Sequence, residues 1–214
     1  MVFAVNDLRA RLRRRLEGRG RDPLDGKTRR AAGDVTVVAP KAQQDFWCLD
    51  QLAPQKGIAN VSRAWRIEGD FDPNGCRQAL MALTHRHDCL RMALYEQRGL
   101  LQMCVSEEKA VDFAEMDLRQ SVQGTCSDLS IEAILGCEGQ RAFDTGRDPL
   151  LRLRVYRIAD QAWVLHLVYH HAIMDGWSLR QFCQELGECY DAITGRGVAV
   201  EGTAGASAPE RPVF

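Results

Sequence analysis

The chain has 214 residues, 45% apolar and 27% charged, with 28 Lys and Arg against 29 Asp and Glu for a net charge of −1. At ~100–200 residues per domain this is one large domain or two small ones. The balanced charge gives no support to a polyanion-coating protein, and no apolar run approaches the ~18 residues of a membrane-spanning helix. The apolar opening of MVFAVNDLRARLRRR is too short and wrongly flanked for an export signal, so the expected location is cytoplasmic.

Residues 1–35 read as a basic helical segment and linker. Ten basic residues face four acidic ones over residues 1–30, and Val5, Leu8, Leu12 and Leu16 recur at helical spacing. A solvated helix, a docking element for a partner protein and an anionic-surface binder all fit that pattern. The segment from Ala42 to Leu52 predicts a helix and Val61–Ile67 a strand ended by Gly69-Asp70. Asp72-Pro73 opens a helix to about Arg86, with Asp as N-cap and Pro at the first helical position. Leu90–Tyr95 and Leu100–Val105 predict a hairpin about Gln97-Arg98-Gly99. A helix over Leu129–Arg141 comes next, then two strands, Leu151–Ile158 and Trp163–Tyr169, around Ala159-Asp160. Ser178 caps a last helix, with Gln181 as its capping-box partner, running to Thr194 and Gly195. Residues 197–214, rich in Gly, Ala and Pro, read as a flexible tail. The expected fold class is mixed α/β, with residues 36–196 as its globular part.

The eight cysteines contain no C-x-x-C pair, which gives no support to a zinc finger or a thioredoxin-like site. They are expected to be free thiols packed as small hydrophobes.

Chemistry concentrates in Leu165–Ser178, where three of the five histidines, His166, His170 and His171, lie within six residues. Strand alternation gives His166 and His170 one face and puts His171 on the other or in a turn. One of the paired histidines can then face a cavity as a general base while its neighbour is held in the wall. Asp175 can orient the site through a ring N–H or through an arginine. Other readings stay open on spacing alone. They are a metal site of His166, His170, His171 and Asp175, a nucleophile–His pair, and ordinary core and turn histidines with an Asp-Gly turn after them.

The run His170-His171-Ala172-Ile173-Met174-Asp175-Gly176 resembles the H-H-x-x-x-D-G motif of nonribosomal peptide synthetase condensation domains. Two further stretches are similar to that family in the same order. Ala42–Leu52 is similar to its S-x-A-Q-x-R-x-W-x-L motif, with Pro40 for Ser and Asp45 for Arg; Arg86–Arg91 is similar to R-H-x-x-L-R. Ala64–Asp70, Ala142-Phe143-Asp144 and Pro149-Leu150-Leu151-Arg152 add to the likeness, which covers about residues 36–195.

The resemblance implies a chloramphenicol-acetyltransferase-like half-domain, an α+β sandwich whose mixed sheet is flanked by helices. It implies His171 as catalytic histidine, His170 and Asp175 as structural, and Gly176 as a close-approach residue whose N–H can serve an oxyanion. Arg86 or Arg91 is the implied salt-bridge partner of Asp175. No metal and no directly bound cofactor are implied. The substrates would be aminoacyl or peptidyl thioesters on the phosphopantetheine of donor and acceptor carrier proteins. The family's later motifs are not found after Gly195, so the implied partners include a C-terminal condensation subdomain and adjacent synthetase domains. Asp-Gly-Trp-Ser favours amide formation. An acyl-CoA-dependent acyltransferase of the same superfamily and a non-catalytic docking module are the alternatives.

Overall fold

A computed structural model describes residues 35–52, 57–107, 111–119 and 130–195. The N-terminal basic helix and the C-terminal tail expected from the sequence, together with Leu129 and Cys126, lie outside these residues.

Two sheets organise the chain. Strands β1 (Val35–Val38), β3 (Met92–Gln97) and β4 (Leu100–Val105) form a three-stranded antiparallel sheet in the order β1-β4-β3. Strands β2 (Asn60–Glu68), β5 (Asp112–Asp117), β6 (Leu151–Ala159) and β7 (Ala162–His170) form the second, in the order β2-β7-β6-β5. In it β5 runs parallel to β6 and the other pairs are antiparallel, which makes the sheet mixed. The β3–β4 hairpin turns at Arg98 and Gly99, both at positive φ (53° and 76°), the paired left-handed geometry that matches strand twist in a two-residue turn.

Four α-helices join these strands among the described residues: α1 (Lys41–Leu52), α2 (Pro73–Arg86), α3 (Ile131–Gln140) and α4 (Gly176–Thr194). Asp72 caps α2 as expected, its carboxylate accepting from the Asn74 N–H at 2.9 Å, with Pro73 in the first turn. Helix α4 departs from expectation. Asp175, not Ser178, is its N-cap: the Asp175 carboxylate accepts from both the N–H and the Oγ–H of Ser178 at 2.8 Å. Gln181 bonds Glu185 instead of closing a capping box. Both Asp and Ser are good caps, and the one nearer the N-terminus wins because Gly176 and Trp177 already take helical geometry. The strand expected from Leu90 starts at Met92, since Asp88–Arg91 form one 3-10 turn.

Alternation along β6 and β7 separates two packed layers. Leu153, Leu165 and Leu167 face α2 and α4 over the main core, where Leu80, Leu83 and Leu167 are no more than 1% exposed. On that side an apolar cavity of about 590 Å³ opens between Trp65, Phe71, Leu165, Phe182, Leu186 and Tyr190. Tyr156, Val164 and Ala64 face the other way and meet Leu135 of α3. β7 is central and buried along most of its length, so its C-terminal end is a rigid platform for the turn that leads into α4.

Candidate active site

β7 ends at His170, and the chain turns through His171, Ala172 and Ile173 into α4. Three backbone bonds fix the turn. The His170 N–H donates to Leu150 O (2.9 Å), the His171 N–H to Ala59 O (2.8 Å), and the Ile173 N–H to His170 O (3.1 Å). The paired histidines therefore diverge, as strand alternation predicts.

His170 is fully buried. Its Nδ1 accepts from the Ala172 N–H at 3.1 Å, so this nitrogen carries the lone pair. The proton is then on Nε2, which donates to Asp50 Oδ2 at 2.6 Å. The other oxygen of Asp50 accepts from the Ala59 N–H at 3.1 Å. A buried acid is costly unless its oxygens are satisfied, and here both are. Phe143 sets its edge against His170 (centroids 6.3 Å, 79°), and the Arg152 guanidinium lies 3.7 Å over the Phe143 ring.

His171 is half-buried and its ring stacks on Phe46 of α1 at 4.2 Å and 16°. Its Nδ1 is enclosed without a hydrogen-bond partner. The ring is thus held by stacking and by its backbone, not by a carboxylate, and Nε2 is the nitrogen left for a substrate. Gln43 of α1 donates to Ala172 O at 3.2 Å, beside it.

The other site residues expected from the sequence lie apart. Among the described residues Asp175 bonds neither a histidine ring nor an arginine; it is spent on the α4 cap, whose Ser178 N–H and hydroxyl hold its carboxyl below the ordinary carboxylate range. Arg86 pairs with Glu185 (3.2 Å), which also meets His87 Nε2 at 2.7 Å. Arg91 pairs with Asp88 and donates to Ser106 O at 3.0 Å. The salt bridge expected between Asp175 and Arg86 or Arg91 is therefore not made: each guanidinium has a nearer acid or carbonyl, and the helix end claims the aspartate. Gly176 has open space, since an added Cβ would meet no atom within 4 Å. The close approach expected there is not made by any of the described residues. His166 faces the α3 side, bonded to Ser62 Oγ at 2.7 Å, so the four residues of the metal reading do not converge. Cys76 and Cys104 are buried thiols and Cys183 and Cys189 half-buried ones, as expected, but Cys89 and Cys137 are exposed and not packed as small hydrophobes; burial pushes Cys76 up to about 12 and Cys183 to about 11.

Sequence reasoning missed Asp50 and Phe46 as site residues. Their signal was helical spacing: Gln43, Phe46 and Asp50 stand at i, i+3 and i+7, one face of α1. Asp45, the reversed charge in the first motif, pairs with Lys41 at 3.1 Å on the flank of α1.

Comparison with known proteins agrees with the motifs. Residues 35–199 match the Condensation domain family. The chain is 33% identical over 151 residues to phosphinothricin tripeptide synthetase PhsC of Streptomyces viridochromogenes, covering 71% of this chain and 14% of that protein. It is 32% identical over 151 residues to cyclosporin synthetase simA of Tolypocladium inflatum, covering 71% of this chain and 1% of that protein. The chain thus spans a small fraction of these relatives. Among solved structures it resembles the starter condensation domain of rhizomide synthetase RzmA, with a TM-score of 0.67 and 22% identity over 80% of this chain and 41% of that one. The fold is that of a chloramphenicol-acetyltransferase-like half-domain, a mixed sheet with flanking helices. With the paired-histidine motif at the end of its central strand and a family match across its globular part, this chain belongs to the condensation-domain family of nonribosomal peptide synthetases.

Proposed function

We propose that this chain carries the histidine wall of an amide-forming condensation site. The observation that supports it most is the turn after β7, where His170 is locked in the interior and His171 is presented with one ring nitrogen enclosed and the other free. His171 Nε2 accepts a hydrogen bond from the acceptor amine and takes its proton as the amine nitrogen attacks the donor thioester carbonyl. The C–S bond breaks, the new amide remains on the acceptor arm, and the proton passes to the leaving thiolate. Donor and acceptor are aminoacyl or peptidyl thioesters on the phosphopantetheine of two carrier proteins, and the setting is cytoplasmic. Among the described residues no helix is long and apolar enough to cross a membrane.

This wall needs a second one. Water exclusion strengthens every interaction in such a site, and His171 here faces outward. The chain alone is expected to form little or no amide, and addition of a C-terminal condensation subdomain to restore it. In that reconstituted mixture, His171→Ala should lower product formation ~10²–10⁴-fold, the usual contribution of a positioned general base. The assay is mass spectrometry of the loaded acceptor carrier. Amide made by the chain alone would overturn the half-site reading. Turnover with free acyl-CoA in place of the donor carrier would favour the acyltransferase, and carrier binding with no product under any pairing would favour the docking module.

A further inference from the structure

Helix α1 meets the motif turn residue by residue, in opposite chain direction. Gln43 holds the Ala172 carbonyl, Phe46 stacks on His171, and Asp50 takes the Nε2–H of His170. The three side chains rise from one face of the helix, about seven residues or two turns. Asp50 is the only residue of α1 that the fold buries, while the helix's other two charged residues, Lys41 and Asp45, pair with each other on its flank. A buried acid in that position is costly to keep unless its oxygens are satisfied, and replacing it alone by a leucine would strand the Nε2–H of His170 and the Ala59 N–H.

We infer that this face of α1 is a clamp in which Asp50 and Phe46 are positioning residues for His171. The inference rests on the reading of His171 as the reacting side chain. Asp50 acts through His170. By accepting the Nε2 proton it leaves Nδ1 as the acceptor for the Ala172 N–H, and that bond sets the path of the backbone immediately after His171. Gln43 fixes the other side of the same residue through the Ala172 carbonyl. Phe46 then fixes the plane of the His171 ring, which has no hydrogen bond at Nδ1 to do so. A stacked ring pair at this separation favours one ring orientation over a freely rotating one. The arrangement divides two tasks a histidine–carboxylate pair usually combines. The carboxylate is kept one residue away, so it orders the site without raising a negative charge beside the reacting nitrogen.

The test uses the whole chain and nuclear magnetic resonance of histidine-labelled protein. Two-bond nitrogen–proton correlations should find His170 as the Nε2–H tautomer, and the His171 ring protons should carry a ring-current shift from Phe46. In Phe46→Leu that shift is lost, and in Phe46→Tyr it returns. In Asp50→Asn the single His170 tautomer gives way to a mixture and the His171 ring signals broaden, while Asp45→Asn on the exposed flank changes neither. An Nδ1–H tautomer at His170 in the wild type, or unchanged His171 signals in both Phe46→Leu and Asp50→Asn with the fold intact, would overturn the clamp. So would equal changes in Asp45→Asn. If Asp50→Asn does not fold, the Phe46 pair decides alone. No readout depends on turnover, so failure of the clamp leaves the proposed reaction standing, and failure of the reaction leaves these signals to be judged by themselves.

Discussion

His166, four residues before the paired histidines, is fully enclosed and keeps one hydrogen bond, to Ser62. Burial is the main cause that holds its pKa down to about 4, with Arg154 and Arg152 adding to the effect. Unfolded, the same imidazole titrates near ~6.5. The folded value is the lower one, so the unfolded chain binds the proton first. The stability linked to this residue is complete above pH ~6.5 and is lost as the pH falls towards about 4, by an amount on the order of 3 kcal/mol at most. Glu185 acts in a lower window: its bonds from His87 and Gln181 hold it down to about 2, so its contribution is present above the ordinary glutamate range and goes as acid reaches it. His166→Gln places an amide nitrogen where Nε2 lies and removes the titration. Urea midpoints measured from pH 7 to 4 should fall for the wild type and stay flatter for His166→Gln. Equal slopes in the two would refute the assignment. At this scale the paired histidines were legible because alternation in a strand is a strong rule. Asp50 was not, because one acid in a helix carries no mark of being buried.

Among the elements, strands β2, β6 and β7 and helices α1 to α3 stand close to their sequence-predicted positions, since each has apolar periodicity and a turn or cap to bound it. Strand β1 is only four residues with Val35, Val37 and Val38 exposed, and β5 reads DFAEMD, too acidic to announce a strand. β5 is held at the sheet edge by its parallel ladder to β6, by Phe113 packed against the main core and by charge. Arg154, its side chain 8% exposed, meets Asp112 at 2.7 Å and donates to its carbonyl at 3.1 Å. Glu138 of α3 completes the network, at 3.1 Å from Arg154, 2.9 Å from Arg141 and 3.6 Å from Arg152. Burial alone would raise Glu138; the Arg141 bond and the neighbouring guanidiniums bring it below its ordinary value. Arg152 is pushed the other way, to about 10, by burial and by Arg141. Such a cluster is weak evidence of net stability but expensive to break from one side. Glu138→Gln should cost ~3–5 kcal/mol, because two nearly enclosed guanidiniums lose their shared acid. The double variant with Arg154→Met should recover part of that loss, as neighbours in one network do not add. Denaturant unfolding measures both; a Glu138→Gln cost below ~0.5 kcal/mol would mean the helix is held by Leu135 and its apolar neighbours alone.

At the scale of the whole molecule, the unusual feature is Trp177, 79% exposed in the first turn of α4, two residues after Asp175. A large aromatic side chain in water beside the histidine turn is a natural reporter for any surface that packs there. The other tryptophans are better sheltered: Trp163 is buried, and Trp47 and Trp65 pack against the core. If the histidine wall pairs with a C-terminal condensation subdomain as proposed, Trp177 enters the seam and loses its water. Its fluorescence should then shift to shorter wavelength as the second subdomain is added, saturating with association. Trp177→Phe should abolish the shift and weaken the pairing, while the fold of the chain, read by circular dichroism, stays unchanged. Association without any change in Trp177 emission would put the covered surface elsewhere, and with it the direction from which His171 meets its substrates.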